Sequence, residues 1–208
     1  MKHTGTGKYG LLLARCLGLE PIRTAVAHPC DASSLAAAVD AAAKHLIIPI
    51  LVGPVSKIRE IAGSAHIDLG TIEIVDARHS HAAAAAAVQL VREGRAELLM
   101  KGSLHTDELL GAVVARETGL RTARRLSHAF IMDVPTYHKV LIVTDAAINI
   151  APALEDKADI CQNAIDLAIS LGVARPKVAI LAAVETINSK MPATIDAAAL
   201  CKIGRAHV

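Results

Sequence analysis

Short apolar runs rich in β-branched residues alternate along the chain with longer Ala- and Leu-rich stretches whose apolar positions recur every three or four residues. This alternation predicts an α/β protein with a mostly parallel sheet. Strands covered on both faces read as continuous apolar runs, and parallel neighbours need helical crossovers. The runs predict strands near residues 24–27, 46–52, 71–75 and 97–100, and helices near 33–44, 56–62, 81–93 and 106–117. Asp31 and Ser80 are the expected helix N-caps. The six alanines at 82–87 belong to a tightly packed helix and not to a low-complexity tract, because Val88, Leu90 and Val91 continue the helical pattern.

Beyond an arginine-rich turn at 121–125, a second group of elements is predicted: strands at 128–134 and 140–144, a long helix over 154–171, a strand at 178–182 and a helix starting at Thr194. Gly172 and Pro176 supply the stop for the long helix. The pattern places a domain boundary near residues 134 and 135, giving a first α/β domain over 1–133 and a second over 134–202. The second has few elements for covering both faces of a sheet, so it is expected to be incomplete. The final six residues, IGRAHV at 203–208, resemble the translation of a common sequencing adapter that runs into a stop codon. They are read as a non-native tail, with native sequence expected to end near Lys202.

Composition narrows the functional classes. With 53% hydrophobic and 20% charged residues, the 208-residue chain can bury a substantial core. A net charge of +2, with basic and acidic residues interleaved, argues against a nucleic-acid surface, and one Phe, two Tyr and no Trp leave little on which bases could stack. A small-molecule partner is expected. Cys16, Cys30, Cys161 and Cys201 have neither zinc-site spacing nor the density of a disulfide scaffold, and are expected to be reduced thiols. No stretch has the apolar run of a signal sequence or a membrane span, so a cytoplasmic location is expected.

Candidate chemistry gathers in a few turns. Lys101-Gly102-Ser103-Leu104-His105-Thr106 follows a predicted strand and opens a helix, where free N–H groups and hydroxyls can meet an anion; a simple helix cap is the alternative. Arg121, Arg124 and Arg125 precede Ser127-His128, combining guanidinium forks with a hydroxyl able to donate to an oxyanion, or else forming a solvated surface. Adjacent side chains on a strand point to opposite faces, so a Ser127–His128 nucleophilic pair is unsupported; His128 is either a base or a satisfied histidine. His28, His79, His81 and His105 lack metal-ligand spacing. Asp145 and Asn149 lie in a turn after a predicted strand, and Asp145 either contacts substrate or caps that turn. Glu185, Asn188, Ser189 and Lys190 form a further polar cluster, either ligand-facing or a hydrophilic loop.

Several of these segments, in order, resemble the phosphate acetyl/butyryltransferase family: MKGSLHTDELLGAVV, LSHAFIMDVP, LIVTDAAINIAPALEDKADICQNAI and PKVAILAAVETINSKMPATIDAAALCK, from Met100 to Lys202. The upstream RTAVAHPCDASSL and IPILVGP are similar to the branch of that family found fused behind an enoyl-CoA hydratase-like domain. The resemblance implies a two-domain α/β fold like isocitrate and isopropylmalate dehydrogenases, with a cleft between the domains and a homodimer when full length. It implies transfer of an acetyl or butyryl group from coenzyme A to phosphate without a covalent enzyme intermediate. Acyl-CoA and phosphate are then substrates, with no tightly bound cofactor and no metal. By the same analogy Ser127 bonds the acyl or phosphate oxygen and Arg125 meets phosphate charge. Lys101, Ser103 and Thr106 form an anion-binding edge, His128 contacts substrate, and Asp145 and Asn149 line the cleft from the second domain. Family members continue past Lys202, through a segment carrying an aspartate proposed as the base for the CoA thiol. This chain is therefore expected to show no useful turnover, exposed apolar edges and poor solubility. Two alternatives are a metal- and nicotinamide-dependent decarboxylating dehydrogenase on the same fold, and a non-catalytic CoA-binding or scaffolding domain. Choice between acetyl and butyryl stays open.

Overall fold

The computed structural model describes residues 7–203; the tail residues 204–208 and the first six of the amino-terminal stretch lie outside the described residues. The chain divides into two units, one formed by Cys16–Thr122 and one joining the segment up to Arg15 with Ala123 onward.

The Cys16–Thr122 unit holds strands β1 (Ile22–Ala27), β2 (Ile47–Gly53), β3 (Glu73–Asp76) and β4 (Leu98–Lys101), in spatial order β3-β2-β1-β4. All three pairings are parallel, with Ala25 level with Ile50 on one side and Leu99 on the other. Helices α2 (Ala32–Ala43), α3 (Val55–Ser64), α4 (Ser80–Arg92) and α5 (Thr106–Val113) connect and follow these strands. Strand alternation sorts the core into two layers. Ala25, Ala27, Ile50 and Val52 pack with Ala83, Ala84, Ala87 and Leu90 of α4 and Leu109 of α5, while Val26 and Leu51 on the opposite face pack with Leu35 and Ala38 of α2 and Ile58 and Ala62 of α3. Val26, Leu51 and Val52 are fully buried, as expected for strands sandwiched between helix layers.

Asp31 caps α2 as expected, its Oδ1 accepting from Ser34 N–H at 2.7 Å. Ser80 does not cap α4. The cap is His79, whose Nδ1 accepts from Ala82 N–H at 3.2 Å, which makes Ser80 the first helical residue. His45 and His66 follow the ends of α2 and α3 in left-handed backbone, with φ of 55° and 53°.

The other unit begins with α1 (Lys8–Cys16), which the hydrophobic pattern did not predict. Lys8 Nζ donates to Val134 O at 2.5 Å and pairs with Asp133 at 3.2 Å, so distant contacts hold this helix in place. Strands β5 (Ala129–Met132) and β6 (Leu141–Thr144) form a two-stranded antiparallel ribbon. Because β5 pairs with β6 and with no strand of the parallel sheet, the division falls between Thr122 and Ala123, not near residue 134. Helix α6 (Leu154–Ser170) stops before Gly172, whose φ of 82° suits a residue without Cβ. Helix α7 (Pro192–Ile203) opens on a proline at its first position.

The segment 178–182 is not a strand: among the described residues no strand lies alongside it, and Val178 and Leu181 are 48% and 85% exposed. The expected isocitrate and isopropylmalate dehydrogenase-like architecture therefore needs correction. Its second domain would require a sheet with helices on its faces, and the described residues after 123 supply only a two-stranded ribbon beside α6 and α7.

Candidate active site

In the parallel-sheet unit the chain builds outward from β1 through β2 to β3, then returns to place β4 on the other side of β1. The crevice of an open α/β sheet opens where strand order reverses, at the carboxyl ends of β1 and β4. His28 and Cys30 follow β1 there, facing the loop from Gly102 to His105 that follows β4. Gly102 N–H donates to Ala27 O at 2.9 Å and Ser103 N–H to His28 O at 2.9 Å. The Ser103 hydroxyl donates to His28 O at 3.0 Å and accepts from Cys30 N–H at 3.1 Å, with His28 Nδ1 at 3.4 Å. His28 itself has left-handed backbone, φ 52°. Burial, then the Lys57 charge, pushes its imidazole below the ordinary value, against the pull of Glu108. Burial raises the Cys30 thiol.

Of the three residues expected to form an anion-binding edge here, Ser103 is thus committed to the loop, and Lys101 Nζ donates back to Leu104 O at 2.7 Å. Thr106 is the first residue of α5 and exposed. Glu108 already supplies an anion at that helix start. Its carboxylate accepts from Ser80 Oγ at 2.7 Å and His105 N–H at 2.8 Å, with His81 Nδ1 at 2.9 Å. The Ser80 and His105 hydrogen bonds hold the Glu108 carboxyl below its usual range.

The other unit gathers a second constellation around 125–128, and it contains Asp145 and Asn149 as well as Arg125 and Ser127. All four were expected at one cleft but from two different domains; one unit carries them together. Two amides bracket the segment. Asn149 Oδ1 accepts from Arg125 Nε at 2.8 Å, while its Nδ2 donates to Leu126 O at 3.0 Å and to Asp145. Asn163, on α6, donates through Nδ2 to Arg125 O at 2.9 Å and to Ser127 Oγ at 2.8 Å. Asp159 accepts from Arg125 N–H at 2.8 Å, and Asp156 pairs with the Arg125 guanidinium at 3.1 Å.

Asp145 is the hub of the turn after β6. Its Oδ1 accepts from Ala147 N–H and Ile148 N–H, each at 3.0 Å. Burial pushes its carboxyl up, but hydrogen bonds from Ile148, Ala147, Asn149 and the His128 backbone outweigh that, and it falls from 3.8 to about 2. The turn-capping alternative is what the contacts show.

Ser127 and His128 diverge as adjacent strand-edge residues should. The Ser127 hydroxyl meets Asn163, while the His128 ring stacks edge-on against Phe130 at 4.2 Å and its buried Nδ1 has no partner among the described residues. The Arg125 side chain is half exposed, so an anion can reach it from solvent. Arg124 pairs with Asp166 at 2.5 Å.

The residues missed at the sequence level are Asp156, Asp159 and Asn163. They recur along α6 at helical spacing, so a polar stripe on one helix face was the available signal. The cluster at 185–190 is a turn: Asn188 accepts from Lys190 N–H at 2.9 Å, and the buried Thr194 hydroxyl ties the Asn188 backbone to the start of α7. Among the described residues no group of three or more His, Cys, Asp or Glu side chains is placed to hold a metal ion. Nor is any helix among them long and apolar enough to cross a membrane.

A model of the phosphate acetyl/butaryl transferase family matches residues 80–207. The chain belongs to that family. It is 60% identical over 196 residues to a phosphate acetyltransferase of Rhizobium meliloti, covering 94% of this chain and 62% of the relative. It is 43% identical over 180 residues to a probable phosphate butyryltransferase of Bacillus subtilis (strain 168), covering 86% and 59%. The chain thus spans about six-tenths of the length of these curated relatives. Its structure resembles a branched-chain phosphotransacylase from Enterococcus faecalis V583 with a TM-score of 0.70 at 29% identity, over 88% of this chain and 63% of that one. The solved structures it resembles are phosphotransacylases, and this replaces the expected dehydrogenase-like fold.

Proposed function

We propose that this chain carries the phosphate-side machinery of an acyltransferase that converts acyl-CoA and phosphate into acyl phosphate and CoA. Family membership supports the reaction class, and the observation that supports its location is that Asn163 on α6 bonds both the Arg125 carbonyl and the Ser127 hydroxyl, in a segment whose Arg125 side chain is half exposed. In the reaction a phosphate oxygen attacks the thioester carbonyl carbon and the new C–O bond forms as the C–S bond breaks. Sulfur leaves with the bonding electrons and takes up the proton that phosphate releases. Negative charge builds on the carbonyl oxygen in between, where an oriented hydroxyl and a guanidinium are the donors required. Arg125 is pre-organised for this by Asn149 and Asp156, so little side-chain freedom is lost on binding. Ser127 has no base within reach among the described residues, which favours direct transfer over a serine-bound acyl group. We further propose that the enzyme works in the cytoplasm as a homodimer.

The test is phosphate-dependent release of free CoA from acetyl-CoA and butyryl-CoA. It is run on the 208-residue chain and on the chain extended in frame with the residues of the Rhizobium meliloti relative that it does not cover. Turnover that falls by about 100-fold or more in Ser127→Ala supports the proposal. A folded extended chain with no turnover on either thioester overturns it.

A further inference from the structure

Resting on the acyl-transfer role proposed above, we propose that Asn163 is the positioning residue that turns the Ser127 hydroxyl proton outward, toward the substrate oxygen.

The orientation of the Asn163 amide is forced from two sides. Arg125 O can only accept, so the amide atom 2.9 Å from it must be the NH2 nitrogen. On the other side the Arg124 guanidinium, which can only donate, lies 3.5 Å from Oδ1. The flipped amide would set oxygen against oxygen and NH2 against guanidinium, losing both contacts. With Nδ2 fixed, it donates to Ser127 Oγ at 2.8 Å and occupies one of that oxygen's lone pairs.

A hydroxyl has one proton and two lone pairs. Any acceptor at the position of Asn163 would draw the Ser127 proton inward and leave only lone pairs for a ligand. A donor does the reverse. The hydroxyl meets no other partner among the described residues, so its proton points away from α6. That is the polarity needed to donate to a developing oxyanion. Asp159 and Asp156, on the same face of α6, hold the backbone and guanidinium of Arg125, so one helix face sets both donors.

A purely structural amide would also bond Arg125 O, so the test must isolate the Ser127 contact. The first arm is independent of activity. In the 15N–1H spectrum of the 208-residue chain, Ser127→Ala is expected to shift one proton of the Asn163 side-chain NH2 pair upfield while the other, on Arg125 O, stays in place. The second arm is kinetic, on the extended chain. Asn163→Ala, and the isosteric Asn163→Asp, are each expected to lower kcat about 10- to 100-fold with KM changed less than about threefold. In a Ser127→Ala background, Asn163→Ala is expected to add nothing further to the loss in kcat, although it still lowers the melting temperature. An unmoved Asn163 amide overturns the proposal whatever the turnover. So does an active parent in which both Asn163 variants keep wild-type kcat or the two losses multiply. A shifted amide in a folded parent without turnover would support the hydroxyl orientation and refute the acyl-transfer role instead.

Discussion

Gly102 lies against the backbone of His28 so closely that a Cβ on it would sit 2.5 Å from both the Ala27 and His28 carbonyl oxygens. The contact is backbone to backbone, so no rotamer change relieves it. Gly102→Ala is therefore expected to destabilise the parallel-sheet unit by about 2 kcal/mol or more, because either β4 or the left-handed His28 must shift. Urea unfolding monitored by circular dichroism would read this as a lower midpoint; an unchanged midpoint would mean the two loops do not meet as described.

Asp145 carries a pH dependence of known sign. Its carboxyl sits at about 2 in the folded chain against an ordinary 3.8. It therefore adds stability that is complete above about pH 5 and is lost as the pH falls through 3.8 and on through about 2. Between those values unfolding takes up one proton at this group, a slope of about 1.4 kcal/mol per pH unit at most. Asp145→Asn is expected to be less stable than the parent at pH 7, with the gap closing by pH 2. Parallel loss at both pH values would show that the charge contributes nothing.

Thr194 is 5% exposed, and its hydroxyl accepts from Asn188 N–H and shares its one proton between Met191 O at 2.8 Å and Asn188 O at 3.0 Å. Thr194→Val keeps the shape and leaves the Asn188 N–H unsatisfied, while Asn188 O and Met191 O keep the N–H groups of Met191 and Thr194. A loss of about 1–3 kcal/mol is expected, with faster hydrogen exchange at Asn188 N–H as the local signature.

His45 follows the carboxyl end of α2 at φ 55°, a conformation that a side chain disfavours. His45→Gly is expected to raise stability by about 0.5–1 kcal/mol. A lower melting temperature would point to a contact of the imidazole that offsets the strain.

Arg125 offers Nε to Asn149 and Nη1 to Asp156 at once, a fork that a single ammonium cannot reproduce. Arg125→Lys in the extended chain is expected to lower kcat/KM about 10-fold or more, whereas Arg124→Lys, on the partner of Asp166, should matter less. Equal effects would remove Arg125 from its special place.

The sheet was legible because burial on both faces writes itself into continuous runs such as 24–27 and 46–52, and α4 because Ala82 to Leu90 keep a helical period. What escaped depends on partners remote in the chain. The 178–182 segment has the local composition of a strand but no strand alongside it. Helix α1 buries none of its side chains fully, and its Lys8 is held by Asp133 and Val134, which lie more than a hundred residues away. The 128–134 run read correctly as a strand, yet which unit owned it depended on β6. At the candidate site Arg125, Ser127, Asp145 and Asn149 stood out as chemistry in turns, whereas Asn163 looked like any polar helix position. Its role exists only because α6 passes beneath the 125–127 segment.

The buried side of α4 is built largely from Ala83, Ala84 and Ala87, methyl groups set against Ala25 and Ala27 of β1. Side chains this small act as a shim of minimum thickness, since nothing smaller except hydrogen can replace them. Drift in this layer can run in only one direction, toward bulk. Each added methylene would wedge α4 off the sheet and tilt the end that carries His79 and Ser80, and with it the Ser80 contact to Glu108. Sequence tolerance here is therefore one-sided, and natural variation at 83, 84 and 87 should be confined to Gly, Ala and Ser wherever the neighbouring β1 positions are themselves Ala.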